Sequence, residues 1–284
     1  MLGKPNSLLD LQLLGLGALA GFTIFLGLPV ARFQTVSPKA KGLLNAISIG
    51  ILLFLLIEVI PSAQKDTQKT ILNSVNGTAP IGEALLFGVS LLGGFAFGLL
   101  SLVWYENRFI GFRKSSDSAY SPLTGPVDKE AYDVATAKRL AMMIAVGLGV
   151  HNFSEGLAIG SQYVSGALTL AFLLIIGFGA HNATEGFGIA APLVGSKPKW
   201  SFLLTAGLVG GGPTFLGTMA GSVFVSPALS VLFLAIAGGA LFFVIMTLYG
   251  AGRRQVSNQT LMTGIFLGFL AGYFTDLLLV VTAA

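Results

Sequence analysis

Long apolar runs with almost no charge recur along the whole chain. Hydrophobic residues make up 54% of the 284 residues and charged residues 10%, whereas a typical soluble domain has about 25% charged residues. Each run is close to the roughly 20 residues that an α-helix needs to cross the hydrocarbon core of a bilayer. The runs are continuously apolar and do not alternate, which favours helices over membrane β-strands. The sequence therefore predicts an all-α integral membrane protein.

We expect eight membrane spans within one polytopic transmembrane domain that covers residues 1–284. The first run begins like a signal peptide, with Lys4 and an Ala18-Leu19-Ala20 site, but it continues to Val30 and is counted as a span. The predicted spans lie at about residues 9–30, 40–60, 82–105, 138–160, 166–190, 201–222, 228–250 and 259–281.

Two connecting segments are long enough to be noted. A polar outer loop is expected at about residues 61–81, and a mobile cytoplasmic loop at about residues 106–137. An early start of the fourth span, within 128–139, is the alternative for the end of the inner loop. Neither loop is long enough to fold as a separate domain.

The basic residues predict the orientation of the chain. If the amino terminus is outside, all but three of the 16 Lys and Arg residues fall in the loops after spans 1, 3, 5 and 7, and only Lys4, Lys65 and Lys69 lie outside. The positive-inside rule therefore places both termini outside the cytoplasm, and we expect the cell (inner) membrane. This distribution explains the pI of 9.4 without a nucleic-acid partner. Cysteine is absent, which excludes disulfides and thiolate metal sites.

Both histidines of the chain lie in a repeated motif, His-Asn-x-x-Glu-Gly, at residues 151–156 and 181–186. Alignment of Val146–Gly160 with Ile176–Ala190 gives identical residues at 7 of 15 positions. The two spans are joined by a short turn and must be antiparallel, so an axis in the membrane plane relates the copies. Inverted repeats of this kind are typical of transporters that bind their substrate near the midplane.

The motif has the spacing and chemistry of a metal site. Residues four apart lie on one face of a helix, so each histidine is paired with its glutamate, while the asparagine lies about 100° around the helix. Imidazole, carboxylate and amide oxygen ligands suit Zn²⁺, Fe²⁺, Co²⁺, Mn²⁺ or Cd²⁺ better than Cu⁺. A single His–Glu pair could be only a hydrogen bond between helices, but two copies on antiparallel neighbours favour a metal site. The candidate ligands are His151, Asn152, Glu155, His181, Asn182 and Glu185.

Four further polar residues within the spans are candidates for a pathway or a gate. Glu58 is either a gate or relay acid, or a side chain that reaches the outer interface. Asp276 lies near a helix end, where an interfacial role is the main alternative. Asn45 and Ser48 either line a path or form a hydrogen bond between helices, and the second interpretation is favoured.

These features resemble the ZIP (Zrt/Irt-like) divalent metal transporter family, particularly its prokaryotic GufA-like branch. The resemblance covers the chain, although its specific motifs are confined to residues 151–156 and 181–186. It implies a 3+2+3 inverted-repeat bundle and an elevator-like movement. It also implies that His151, Glu155, His181 and Glu185 bind the primary metal, with Asn152 and Asn182 beside a second site shared with Glu185.

The sequence departs from the family pattern at two positions. Many members have Glu-Pro in span 6, where this chain has Gly212 before Pro213, and many have a glutamate late in span 7, where this chain has Met246 and Thr247. These differences predict one dominant metal site.

The predicted function is uptake of a divalent transition-metal ion, most readily Zn²⁺, by alternating access. The metal is the transported substrate, so no cofactor and no enzymatic activity are expected. The partners are the metal ion and the lipid bilayer, and the glycine-rich helices are compatible with a homodimer. Three alternatives stay open: an intramembrane metal-dependent hydrolase, although His-Glu-x-x-His is absent; a metal sensor that does not transport; and transport of another cation or of protons.

Overall fold

The protein is predominantly helical. The computed structural model describes residues 11–33, 37–110, 120–121, 125–126, 129–165, 168–223 and 226–283. Their α-helices are α1 (Leu11–Phe22), α2 (Pro38–Val75), α3 (Ile81–Tyr105), α4 (Lys129–Val164), α5 (Leu168–Ala190), α6 (Trp200–Gly221), α7 (Pro227–Gln255) and α8 (Asn258–Ala283). Short 3₁₀ segments are Thr23–Leu26, Leu28–Arg32 and Ala191–Leu193, and a π-helical turn is Glu106–Ile110. Strands β1 (Tyr120–Ser121) and β2 (Gly125–Pro126) pair antiparallel, with Tyr120 opposite Pro126.

Within the described residues, seven helices are long and apolar enough to cross a membrane, when α1 is taken together with the 3₁₀ segments that follow it. They correspond to α1, α2, α3, α4, α6, α7 and α8. The remaining helix, α5, has 23 residues and packs against α1, α2, α4 and α8. The chain is therefore an integral membrane protein.

The prediction of an outer loop at about 61–81 is wrong over most of that range, because α2 continues through Pro61 to Val75. A proline inside a helix removes its own N–H donor, but the polar residues after Pro61 are compatible with a helix. Several hydroxyls there donate to carbonyl oxygens of the same helix, as Thr67 does to Ala63 at 2.9 Å. The connection between α2 and α3 is reduced to residues 76–80.

The alternative of an early start of the fourth span within 128–139 is confirmed, since α4 begins at Lys129, and the inner loop is therefore shorter than 106–137. The π-helical turn Glu106–Ile110 and the β1–β2 pair also lie within this segment. The predicted mobility falls on a segment of which residues 111–119, 122–124 and 127–128 lie outside the described residues.

Glycines allow α4 and α6 to pack backbone against backbone. A Cβ at Gly156 would collide with the Thr214 carbonyl oxygen, and one at Gly160 would collide with the Thr218 carbonyl oxygen. On the facing helix, a Cβ at Gly217 would collide with the Phe153 carbonyl oxygen. Such spacing of small residues is the usual means of close helix packing in membranes. The helix that carries the first motif is therefore held tightly by α6.

Similar contacts join α1 and α5 to the helices already described, and they pair α3 with α7 and α2 with α8, while α2 also packs against α7. In the first group, Gly21 of α1 meets Gly211 of α6, and Gly186 of α5 meets the Ile24 carbonyl oxygen in the turn after α1. In the second group, Gly98 of α3 meets the Ile236 carbonyl oxygen of α7, and Gly268 of α8 meets the Ile47 carbonyl oxygen of α2. We call α1, α4, α5 and α6 the first helix group, and α2, α3, α7 and α8 the second helix group.

The glycine contacts between the two groups are looser. A Cβ at Gly147 of α4 would lie 3.3 Å from the Ala240 Cβ of α7, and one at Gly188 of α5 would lie 3.7 Å from the Ser48 hydroxyl oxygen of α2. Both neighbours are side chains and not backbone. The main hydrophobic core lies across this boundary and includes Leu52 and Leu148.

Candidate metal site

The two His-Asn-x-x-Glu-Gly motifs lie side by side, because α4 and α5 are consecutive antiparallel neighbours. The imidazole rings of His151 and His181 have centroids 6.0 Å apart and are inclined at 64°. All six predicted ligands are buried, and Asn152, Asn182 and Glu185 have 0% exposure. Burying so many polar side chains in a membrane protein is costly unless they bind something.

Within each motif the histidine faces its own glutamate across one helical turn. The distance from His151 Nε2 to Glu155 Oε1 is 3.4 Å, and the distance from His181 Nε2 to Glu185 Oε1 is 3.7 Å. The i,i+4 pairing expected from the sequence is therefore present in both copies. These separations leave room for a cation that contacts both groups of a pair.

Three of the predicted ligands already converge on one point. His151, Glu155 and His181 each offer a ligand atom, and these atoms lie within 4.8 Å of one another. Glu185 lies beside this trio but is held differently, because its Oε2 accepts a hydrogen bond from Asn152 Nδ2 at 2.7 Å. Its Oε1 remains directed towards His181. The structure thus places the four predicted primary ligands together, with one carboxylate partly engaged by an amide.

The two asparagines fasten the motif helices to their neighbours. Asn152 Nδ2 also donates to the carbonyl oxygen of Gly210 on α6, at 3.0 Å. Asn182 Nδ2 donates to the carbonyl oxygen of Ala20 on α1, at 2.9 Å. Each amide therefore uses its donor group within the protein and keeps its oxygen as an acceptor.

The site contains an excess of acceptor atoms. Within the described residues, these buried atoms lack a hydrogen-bond partner: His151 Nδ1 and Nε2, Asn152 Oδ1, Glu155 Oε2, His181 Nε2, Asn182 Oδ1 and Glu185 Oε1. A buried polar atom that is not satisfied is unfavourable, and a cluster of nitrogen and oxygen acceptors is satisfied by a cation. These residues therefore fit a divalent transition-metal ion, whose preferred ligands are imidazole and carboxylate.

A cavity of about 390 Å³ reaches the site from one side. Its lining comes from the second half of α2, the second half of α4, the start of α7 and Phe178 of α5. The polar members of the lining are Glu58, Ser62, Asp66, His151, Ser154, Glu155, Ser161, Ser226 and Ser230. Because two carboxylates of α2 and a third on α4 belong to its lining, this cavity favours cations.

The other predicted residues are divided between the cavity and the helix contacts. Glu58 lines the cavity and is partly buried. Ser48 is buried and donates to the carbonyl oxygen of Gly188 at 3.1 Å, which is the helix–helix hydrogen bond favoured from the sequence. Asn45 is buried and Asp276 is partly buried, but neither is among the residues that line this cavity.

Sequence reasoning missed three contributors to this region. Ser154 and Asp66 line the cavity, and the Gly210 carbonyl oxygen holds Asn152. Ser154 could have been found, because it follows His151 by three residues and shares its helix face. Asp66 was assigned to a loop and not to a helix, and a backbone oxygen leaves no signal in the sequence.

A comparison with known families gives one match. Residues 113–248 match the family model described as ZIP Zinc transporter. The resemblance to the ZIP family found in the sequence is confirmed for this segment of the chain. The matched segment includes both motif helices, all of α6 and most of α7. None of the curated proteins compared with the chain matched it.

The family and the structure agree on the general class of function. ZIP proteins are transporters of divalent metal ions and not enzymes, and the chain that carries this ZIP segment is an integral membrane protein with a buried His/Glu cluster. The prediction of a ZIP metal transporter is confirmed at this level.

Proposed function

We propose that this protein moves a divalent transition-metal ion, Zn²⁺ first, into the cytoplasm by alternating access. The observation that carries the proposal is the cluster of His151, Glu155 and His181, which is buried, rich in unpartnered acceptors and reached by an acidic cavity. Fe²⁺, Mn²⁺, Co²⁺ and Cd²⁺ are further candidate substrates, because selectivity among these ions depends on geometry more than on ligand type.

The ion exchanges its water for the side chains of His151, Glu155, His181 and Glu185. Ionised Glu155 and Glu185 neutralise the charge of a divalent cation, and the neutral imidazoles supply nitrogen ligands. Asn152 and Asn182 contribute their free amide oxygens next to Glu185. Because Gly212 and Thr247 stand where the family often has glutamate, we propose one dominant ion site. Two fully occupied ions in a high-resolution structure would contradict this point.

The cavity represents the path from outside. With both termini outside, the second halves of α2 and α4 and the start of α7 all lie towards the outer surface, and these segments line the cavity. Glu58 then lies on the route of the ion. This orientation in the cell membrane supports an outward-open state and transport towards the cytoplasm.

The two helix groups are the bodies that move. Backbone contacts through glycine hold the first group together, and in the second group they pair α3 with α7 and α2 with α8, while α2 also packs against α7. The glycine contacts between the groups involve side chains. Movement of one group against the other around a fixed site is a usual solution for secondary transporters. The site lies on α4 and α5 of the first group, so the first group carries the ion in an elevator-like movement.

Matching contacts support a 3+2+3 inverted repeat in which α1–α3 correspond to α6–α8. Asn152 bonds to Gly210 as Asn182 bonds to Ala20. The serine caps Ser37 and Ser226 each precede a proline at the start of α2 and α7. Further contacts between a glycine and a facing backbone recur at corresponding positions of the two halves. The contact Gly98–Ile236 corresponds to Gly268–Ile47, and Gly239–Phe95 corresponds to Gly50–Ile265.

The deciding experiment is metal flux into proteoliposomes for Zn²⁺, Fe²⁺, Mn²⁺ and Cd²⁺ at two pH values. We expect saturable uptake by the wild type and its loss in the double variant His151→Ala/His181→Ala. Uptake should also fall at the lower pH, because the ligands bind metal only when deprotonated. A wild type that binds metal but moves none would overturn transport and favour sensing or hydrolysis.

A matched pair of carboxylate variants provides the control. Glu155→Gln removes a charge from the cluster, whereas Asp276→Asn removes one from α8, from a residue that is not among those lining the cavity. We expect the first variant to weaken Zn²⁺ binding about 10-fold or more and the second to leave it unchanged. Equal effects would place Asp276 on the pathway.

Membership of the GufA-like branch and a homodimer remain predictions. Native mass spectrometry tests the homodimer.

A further inference from the structure

Ser154 occupies a special position beside the candidate metal site. It follows His151 by three residues and precedes Glu155 on α4, and it lines the cavity together with both. Its side chain is 9% exposed. Its hydroxyl oxygen is buried and has no hydrogen-bond partner among the described residues.

The hydroxyl is unusual because serine and threonine in helices commonly donate to a carbonyl oxygen one turn earlier. Ser161 of α4 donates to Ala158 at 3.0 Å, and Thr218 of α6 donates to Thr214 at 2.8 Å. Thr184 is the counterpart of Ser154 in the second motif, and it donates to His181 at 2.7 Å. Ser154 forgoes this local bond, so its lone pairs and its proton are available to the cavity.

Another buried hydroxyl without a partner does not share this setting. Thr214 of α6 has an unpartnered Oγ1, but it is not among the residues that line the cavity. Ser154 combines burial, an unused hydroxyl and direct access to the space that leads to His151 and Glu155. This combination indicates a ligand and not a packing role.

We propose that Ser154 Oγ is a further oxygen ligand for the ion, on the side of the site that faces the cavity. The inference rests on the proposed transport function and adds a residue that sets its selectivity. A hydroxyl is a hard, neutral donor, so it favours ions that accept oxygen ligands over the softer Cd²⁺. The second motif makes no equivalent contribution, because the Thr184 hydroxyl is bound to its own helix.

The first test compares Ser154→Ala with Thr184→Ala in the proteoliposome flux assay. Each variant loses one hydroxyl at the same motif position, which makes them matched controls. We expect Ser154→Ala to raise the KM for Zn²⁺ about fivefold, as for the loss of one polar contact, and Thr184→Ala to leave it unchanged. Equal KM values for Ser154→Ala and the wild type would overturn the inference.

The second test uses the absence of cysteine from the chain. Ser154→Cys gives the protein a single thiol, which is a soft ligand. The variant should therefore increase the ratio of kcat/KM for Cd²⁺ to kcat/KM for Zn²⁺ about 10-fold. Thr184→Cys should leave the ratio unchanged. The same ratio in Ser154→Cys and wild type, or the same increase in Thr184→Cys, would overturn the role of Ser154.

Thiol labelling separates contact with the ion from indirect effects. A small methanethiosulfonate reagent should modify Ser154→Cys through the cavity, and Zn²⁺ should protect the thiol at concentrations near its KM. Labelling that Zn²⁺ does not slow would contradict ligation. If the wild type neither binds nor moves metal, the proposed function fails and this inference fails with it. If the wild type transports normally and only the Ser154 tests are negative, the proposed function stands.

Discussion

At the scale of single residues, Asn152 of α4 connects the Glu185 carboxylate on α5 to the backbone of α6. Its amide donates to Glu185 Oε2 and to the Gly210 carbonyl oxygen. Asn152→Ala would leave two buried acceptors without this donor, at about 1–3 kcal/mol each. We expect a lower melting temperature in detergent, by about 2–4 °C for each kcal/mol. Thermal unfolding followed by tryptophan fluorescence measures the change.

The counterpart in the second motif is the control for this prediction. Asn182→Ala removes a single donor, to the Ala20 carbonyl oxygen, so its melting temperature should fall less. It touches no carboxylate through that bond, so we also expect it to weaken Zn²⁺ binding less than Asn152→Ala does, as measured by calorimetry. Identical affinities for the two variants would show that the bond to Glu185 does not position the carboxylate.

The candidate ligands could be predicted from the sequence because the same His-Asn-x-x-Glu-Gly motif occurs in two neighbouring helices. His151, Glu155, His181 and Glu185 were predicted as ligands from the residue types, the spacing and the repeat of the motif. The structure brings ligand atoms of His151, Glu155 and His181 within 4.8 Å of one another and places Glu185 beside His181. The position of Ser154 on the helix face of His151 was predictable, but its role was not, since that role depends on the direction of one hydroxyl. Whether a serine hydroxyl bonds to its own helix or points into a cavity is decided by packing around it, and no sequence pattern records that choice.

At the scale of helices, close approach through glycine holds α3 against α7. A Cβ at Gly98 would collide with the Ile236 carbonyl oxygen, which cannot move without its helix, whereas a Cβ at Gly88 of the same helix would meet nothing within 4 Å. We expect Gly98→Ala to lower the melting temperature and the yield of folded protein. Gly88→Ala should be neutral or stabilise α3 by about 0.5–1 kcal/mol. Equal stability of the two variants would show that α3 and α7 are not in backbone contact.

A hydrogen bond joins α2 to α5 on the side of the site away from the cavity. Ser48 Oγ donates to the Gly188 carbonyl oxygen, and its loss in Ser48→Ala should favour separation of the two helix groups there. A net contribution of about 0.5–1.5 kcal/mol corresponds to a two- to tenfold larger inward-open population. In an Asn45→Cys background, the rate of labelling from the inner side should rise by that factor.

The control for this variant is a hydroxyl that bonds only within its helix. Thr247 donates to the Phe243 carbonyl oxygen of α7, so Thr247→Val in the same Asn45→Cys background should not change the labelling rate. A rate for Ser48→Ala no faster than that of Thr247→Val would show that the bond between α2 and α5 does not restrain opening.

The limits of the helices were less predictable than their existence. Apolar runs located the helices, but α2 extends beyond its apolar run because the polar residues after Pro61 are also helical. Hydropathy reports where a helix leaves the hydrocarbon and not where it ends. The pairing of helices, such as the contact of Gly21 of α1 with Gly211 of α6, was not predicted either, because small residues alone do not identify their partners.

At the scale of the whole molecule, transport by movement of the two helix groups requires that their boundary can slide. Gly147 of α4 and Ala240 of α7 face each other across it, with a Cβ built at Gly147 lying 3.3 Å from the Ala240 Cβ, close to the separation of about 3.5–4.5 Å in a disulfide. We expect the double variant Gly147→Cys/Ala240→Cys to lose uptake when oxidised and to regain it with a reductant. Because the chain has no native cysteine, a disulfide within one chain can form only between these two residues. Each single variant, treated with the same oxidant, should keep its uptake, and the oxidised double variant should still bind Zn²⁺, since the cavity is not closed by the bond. Full uptake by the oxidised protein would mean that α4 and α7 stay together during transport, and the two helix groups defined by the glycine contacts would not be the moving bodies.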